Sequence, residues 1–263
     1  MLSEYDPIIV SLPKEWDSVE IFAIHDVHYG NEFFDQRTYD KLIKYILEKE
    51  NRMIVWVGDL IENCVPNSKG DILTQVYSPQ QQTDWLAEQF TKLADRTLAI
   101  VDGNHEFNRS TRFAGLYPLF TAAAIARIDD KYRSAFAVLD VSVGSSRARH
   151  KDRQAKYVGF LTHRAKDLKS FNTVDELDGF DFAFYGHDHE PSDHPRAKLV
   201  YVPNTRTMFR KNVEVVNNGA FLDFGGYSPR SGMRPKASKN WTMTLFGGEK
   251  KRIDTHGFDP RCL

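Results

Sequence analysis

The chain of 263 residues is 41% hydrophobic, 27% charged and 13% aromatic, long enough for a sizeable core and too rich in aromatics for disorder. Its apolar runs stop short of the ~20 residues of a membrane span, its start lacks a basic and apolar leader, and Cys64 and Cys262 are too few for a disulfide framework, so a cytoplasmic protein is expected. The net charge of −1 conceals an asymmetry: residues 1–130 carry 21 acidic and 12 basic side chains, residues 131–263 carry 15 and 23, which suits cations on one half and a polyanionic partner on the other.

In chain order, VEIFAIHDVHYG opens as a strand over 19–24 and turns polar at His25. YDKLIKYILEKE sets Tyr39, Leu42, Ile43, Ile46 and Leu47 at helical spacing. MIVWVGDL is a buried strand over 53–57 that ends in Gly58-Asp59. The turn-rich segment 62–77 reads as an excursion from the core, and the loop at 63–83 is a candidate docking site for a partner or a dimer edge. SPQQQTDWLAEQFTKLAD predicts a helix with Ser78 as N-cap, Pro79 as its first residue and Gln81 closing a capping box. TLAIVDGNHE is a third strand running into a polar loop. Strands alternating with helices imply parallel pairing and right-handed crossovers. His25 to His28, Gly58-Asp59 and Gly103-Asn104-His105 then lie beyond the carboxyl ends of their strands, where ligand sites assemble in open α/β sheets.

The second half is strand-rich. RSAFAVLDVSVG and AKYVGFLTHR read as a hairpin around the basic loop SSRARHKDRQ, and GFDFAFYGHDH repeats the pattern of a strand breaking into polar residues. AKLVYVPN, VEVVNNGAFLDF and WTMTLFGGEKKRIDTH supply further strands. The expectation is an α/β protein of strand layers flanked by helices, one continuous domain over 1–263 with its core at about 19–225 and an exposed loop at 225–240.

The polar residues at those strand ends are Asp26, His28, Asp59, Asn104, His105, His163, His187 and His189. Imidazoles with carboxylates suit borderline transition metals: manganese first, with zinc, iron, nickel or cobalt as alternatives. Eight such groups exceed one ordinary site and suit two divalent ions sharing a carboxylate. In an extended segment the D-x-H and H-x-H spacings would place both side chains on one side, gripping a common centre. His25 alternates away from Asp26 and is expected to pack beneath the site.

The series Asp26-x-His28, Gly58-Asp59, Gly103-Asn104-His105-Glu106, His163 and Gly186-His187-x-His189 resembles the calcineurin-like metallophosphoesterases, over about residues 20–225. The resemblance implies a two-sheet β-sandwich flanked by helices. It also implies one metal on Asp26, His28 and His189, a second on Asn104, His163 and His187, and Asp59 bridging both. Two ions roughly 3.5–4 Å apart supply a bridging hydroxide and bind the phosphate. His105 would then protonate or stabilise the leaving oxygen. The family places a second Asp three residues after Gly-Asp to orient that histidine, and here the position is Glu62.

Such an enzyme would hydrolyse phosphodiesters, with DNA or RNA favoured. The basic segments 145–156, 205–211, 230–239 and 250–252 are interleaved with Phe209, Tyr227 and Trp241, a composition that suits base stacking beside phosphate contacts. The motif run also resembles the nuclease subunits of double-strand-break repair complexes, which extend beyond this core. Asn108, Arg109 and Arg149 are candidate phosphate contacts. Small or cyclic nucleotides are the alternative substrates, and a non-catalytic scaffold on the same fold is the alternative class.

Overall fold

β-Branched and aromatic runs build thirteen strands in two sheets in a computed structural model, which describes all residues except 1, 2, 4, 67, 69–71, 145–153, 165–177, 226, 231, 233 and 249. The first sheet has the order β13-β12-β2-β3-β4-β5. Its strands are β2 (Ser18–Ile24), β3 (Arg52–Val57), β4 (Thr97–Val101), β5 (Tyr132–Arg133), β12 (Asn240–Phe246) and β13 (Ile253–Phe258). Strands β2, β3, β4 and β5 are mutually parallel, as the alternation of strands and helices requires. The second sheet has the order β1-β6-β7-β8-β11-β10, with β9 paired to β11. Its strands are β1 (Ile8–Ser11), β6 (Phe136–Val143), β7 (Ala155–Arg164), β8 (Phe182–Gly186), β9 (Ser192–Asp193), β10 (Arg196–Val202) and β11 (Thr207–Asn217). The expected hairpin is β6 against β7, antiparallel in register from Phe136–Thr162 to Val143–Ala155.

Every residue of β3 and β4 is buried, because both faces of their sheet are covered. One face, with Ile21, Ala23, Val55, Val57 and Val101, packs on Leu139, Val141, Leu161, Phe184 and Val216 of the other sheet. The opposite face, with Phe22, Ile24, Ile54, Trp56 and Ile100, packs under helices α1 (Gln36–Leu47) and α2 (Pro79–Lys92). Helix α1 turns Tyr39, Leu42, Ile43 and Ile46 inward. Leu47 departs from the expected stripe: it is 38% exposed at the last turn, beyond the reach of the sheet. The capping box on α2 forms as the spacing predicts, with Ser78 Oγ accepting from the Gln81 N–H at 3.3 Å and Gln81 Oε1 accepting from the Ser78 N–H at 2.9 Å.

The sheets extend past both ends of the expected 19–225 core. Strand β12 pairs antiparallel with β2, and β1 pairs with β6. Among the described residues no helix is long and apolar enough to cross a membrane. Ser78→Ala removes a cap and is expected to cost about 1 kcal/mol of stability, read by equilibrium chemical denaturation.

Candidate metal centre

The parallel strands β2, β3 and β4 of one sheet and β7 and β8 of the other deliver their carboxyl ends to the same place. Asp26 and His28 follow β2, Asp59 follows β3, Asn104 and His105 follow β4, His163 lies near the end of β7, and His187 and His189 follow β8. The backbone there is not extended, contrary to the expectation from spacing. Asp26, His28, Asp59, His187 and His189 have φ of 49°, 53°, 49°, 81° and 53°. These are left-handed turn conformations, uncommon for residues with a Cβ and each costing about 1–3 kcal/mol. The turns also separate the H-x-H pair, so His187 and His189 face different neighbours instead of one centre.

The donors form three overlapping groups whose ligand atoms lie within 4.8 Å of one another: Asp26, His28 and His189; His28, Asp59 and His105; Asp59, His163 and His187. Asp26 Oδ2 accepts from His25 Nδ1 at 2.7 Å and from the His187 N–H at 2.9 Å. Its Oδ1 is buried without a hydrogen-bond partner, 3.3 Å from His189 Nε2, 3.7 Å from His28 Nε2 and 3.8 Å from His163 Nε2. Asp59 Oδ1 accepts from the His105 N–H at 2.8 Å, while Oδ2 faces His163 Nε2 at 3.1 Å. His163 Nδ1 donates to the Val57 carbonyl at 2.6 Å, which turns Nε2 towards two carboxylates. His28 Nε2 faces His189 Nε2 at 3.2 Å, ring nitrogen to ring nitrogen. The Asn104 Oδ1 is likewise buried and unpartnered. Lone pairs aimed at lone pairs require a proton or a cation between them, so these residues fit divalent metal ions.

The pKa directions show the same demand for positive charge. Burial pushes His28 and His163 down, but the carboxylates around them prevail and raise them to about 10 and about 9. Burial opposes ionisation of Asp26 and Asp59, yet the surrounding imidazoles hold both well below the usual carboxylate range. His105 goes the other way: burial first, with His28 and Arg109 helping, lowers it to about 4 against the pull of Asp59.

A second layer orients these donors. His25 is buried but not averted from the site as its alternation with Asp26 suggests: the left-handed turn at Asp26 swings the carboxylate back onto its ring. His25 Nε2 accepts from the Asn218 N–H at 3.2 Å, which sets the tautomer that donates to Asp26. Glu106 is fully buried and accepts from the N–H groups of Asp59, Leu60, Ile61 and Gly103 at 2.8–3.2 Å, locking the two glycine turns together. A Cβ on Gly103 would stand 2.1 Å from Asp59 N and Oδ1, so only glycine permits that approach. Glu106 stands in the Gly103-Asn104-His105-Glu106 motif without an assigned role, and no sequence signal marks Asn218.

Glu62 differs from its expected role. Its Oε2 lies 3.3 Å from His28 Nδ1 but 3.9 Å from His105 Nδ1, outside hydrogen-bond range, because Asn31 and Arg109 draw the carboxylate towards His28. Arg109 is committed to the Glu62 carboxylate at 3.0 Å and to its main-chain carbonyl, instead of standing free for a phosphate. Asn108 is half-buried on the helical turn His105–Thr111 and makes no hydrogen bond to the cluster among the described residues. Arg149 lies outside the described residues. Of the interleaved aromatics, Phe209 is on the part of β11 farthest from the site, about 26 Å along the strand from Asn217, and Trp241 belongs to the other sheet under Lys239. The side chain of Tyr227 is not among those described.

The model of the calcineurin-like phosphoesterase family matches residues 20–191, about two thirds of the chain, and the chain belongs to that family. No curated protein matches it in sequence. Solved structures similar to it include the calcineurin-like phosphoesterase YfkN from Bacillus subtilis, at 14% identity and a TM-score of 0.46, covering 92% of this chain and 90% of that one. The phosphoesterase YfcE from E. coli has 14% identity and a TM-score of 0.44, covering 92% and 99%. Vps29 from Entamoeba histolytica, complexed with zinc, has 11% identity and a TM-score of 0.40, with the same 92% and 99%.

Because His28 and His163 are raised to about 10 and about 9, both carry protons at neutral pH until a metal displaces them. Manganese affinity should therefore climb between pH 6 and pH 9, about tenfold per unit for each proton displaced; calorimetric titration reads it, and a pH-independent affinity contradicts it. Glu62→Gln, which weakens the support of His28, should lower metal affinity by about 10–100-fold, measured by the same titration.

Proposed function

We propose that the protein is a metal-dependent phosphodiesterase acting on nucleic acid, DNA or RNA, by way of two divalent cations. The observation that carries the reading is the convergence of His163 Nε2 on Asp59 Oδ2 at 3.1 Å and on the unpartnered Asp26 Oδ1 at 3.8 Å. Asp26, His28 and His189 would hold one cation, Asn104, His163 and His187 the other, and Asp59 would be shared. Such a pair, when bound, would lower the pKa of water and neutralise charge on a phosphate between them.

The chain's own residues supply the rest. His105 is anchored through its N–H to Asp59 Oδ1 and lies at the mouth of the cluster with 11% of its side chain exposed. Its imidazole presents a ring N–H to the oxygen that departs from phosphorus. Glu62 fixes the ring of His28, and Arg109 holds Glu62 in place. His189, with 30% of its side chain exposed, marks the open side by which a long substrate reaches the centre.

The preference for nucleic acid rests on charge. The second half is basic, and Arg234 and Lys236 of its loop come to the rim of the site beside Glu190, the residue after His189, with Lys236 Nζ ion-paired to Glu190 at 2.7 Å. That supports a polyanion passing over the centre, with cations placed along its backbone. Manganese is the metal proposed, and the mixed imidazole and carboxylate donors also admit zinc, iron, nickel or cobalt.

The test is hydrolysis by the metal-loaded protein of single-stranded and duplex oligonucleotides, cyclic nucleotides and bis(p-nitrophenyl) phosphate. Oligonucleotide cleavage, with binding that falls steeply as salt rises, is expected; cleavage of the small diesters alone would transfer the activity to small nucleotides. His105→Ala should lower kcat by about 10²–10⁴-fold with metal content retained. Asp59→Asn should abolish both metal uptake and hydrolysis with an unchanged circular dichroism spectrum. Full activity in both variants would place the protein among non-catalytic scaffolds contaminated by another hydrolase.

A further inference from the structure

A column of aromatic rings rises from the core beside the metal centre. Tyr39, 1% exposed, and Phe34 pack against Trp85 with ring centroids 5.5 and 6.3 Å away. Trp85 stacks on Tyr29 at 4.0 Å and 6°, and Tyr29 stacks on Tyr77 at 5.0 Å and 9°. Among the described ring contacts Trp85 and Tyr77 do not meet each other, as two rings stacked on opposite faces of Tyr29 would not. The column thus begins in the core and ends at Tyr77, which is 39% exposed.

The column is tied to the metal-bearing turns. Tyr29 directly follows His28, its Cα about 3.8 Å from that of the ligand. The Tyr29 N–H donates to the Leu60 carbonyl at 3.0 Å, and the Tyr29 carbonyl accepts from the Glu62 N–H at 2.9 Å, which fastens it to the turn of Asp59. Tyr77 is held from both sides: the Val76 N–H donates to the Gly30 carbonyl at 2.9 Å, and Gln82 Nε2 donates to the Tyr77 carbonyl at 2.6 Å. A ring so fixed loses little freedom when a second flat ring covers it.

We propose that the outer face of Tyr77 receives a nucleobase of the substrate whose phosphate lies at the metal centre. This deepens the phosphodiesterase reading and rests on it. Stacking on a phenol ring tolerates every base, so the site selects for the presence of a base and not for its identity. The competing structural role is that the column only fastens α2 and the loop before it to the core. That role predicts a loss of stability in Tyr77→Ala and no dependence on the base.

The experiment is calorimetric titration of the manganese-loaded protein with a hydrolysis-resistant phosphorothioate thymidine pentamer and with an abasic phosphorothioate pentamer of equal charge. A further pair, thymidine 5′-monophosphate and deoxyribose 5-phosphate, separates a free nucleotide from a strand as the source of the base. The wild type should bind the base-bearing member of at least one pair about tenfold more tightly. Tyr77→Phe should keep that gap, and Tyr77→Ala, with its melting temperature recorded, should erase it. Equal affinities within both pairs for the wild type, or a gap that survives in Tyr77→Ala, would overturn the assignment. Hydrolysis of bis(p-nitrophenyl) phosphate alongside such a result would leave the phosphodiesterase reading standing without the base site. Absence of hydrolysis under every metal would remove that reading separately.

Discussion

Two buried carboxylates that pair with histidines, and among the described residues with no lysine or arginine, set the terms for the rest of this molecule. Asp26 is 0% exposed and Asp59 1%, and among the described residues their ion pairs are with histidines alone. An ionised carboxylate removed from water without compensating charge costs several kcal/mol. Here the neighbours are imidazoles whose free nitrogens point inward, able to share a cation. Protons on His28 and His163 supply that charge in the protein alone, and divalent cations can replace them.

Much of the surrounding fold serves to hold these groups in place. Five of the donor residues occupy left-handed backbone conformations that their side chains disfavour. Such turns persist when other contacts over-determine them, and the contacts can be named. Glu106 gathers four main-chain N–H groups from two separate turns. His163 reaches across to the Val57 carbonyl of the facing sheet, and the N–H of His187 closes on Asp26. The site therefore straddles the seam between the sheets, and each sheet supplies candidate donors that the other orients.

The apolar runs and their order made the parallel strands of the first sheet legible, and the Ser78–Gln81 spacing made the cap of α2 legible, because both depend on local periodicity. The donor set was legible for a related reason: polar residues with no role in a core stood at the end of each run. What resisted reading was conformation beyond the strand ends. Spacing suggests that Asp26 and His28 share one side of an extended segment from which His25 points away, whereas positive φ angles turn them and bring His25 onto the Asp26 carboxylate. The reach of Glu62 depended on three competing partners far apart in the chain, Asn31, His28 and Arg109. Composition around 205–211 suggested a nucleic-acid surface, but the direction of β11, parallel to β8, carries Phe209 away from the site. The aromatic column of Trp85, Tyr29 and Tyr77 joins residues from two loops and a helix and has no sequence periodicity to reveal it.

Anomalous diffraction from crystals of the protein grown with manganese, recorded near the metal's absorption edge, addresses the central claim most directly. Two peaks are expected between the sheets, one beside Asp26, His28 and His189 and the other beside Asn104, His163 and His187, with Asp59 reaching both. A map without anomalous density at those side chains, from crystals soaked at saturating metal, would contradict it.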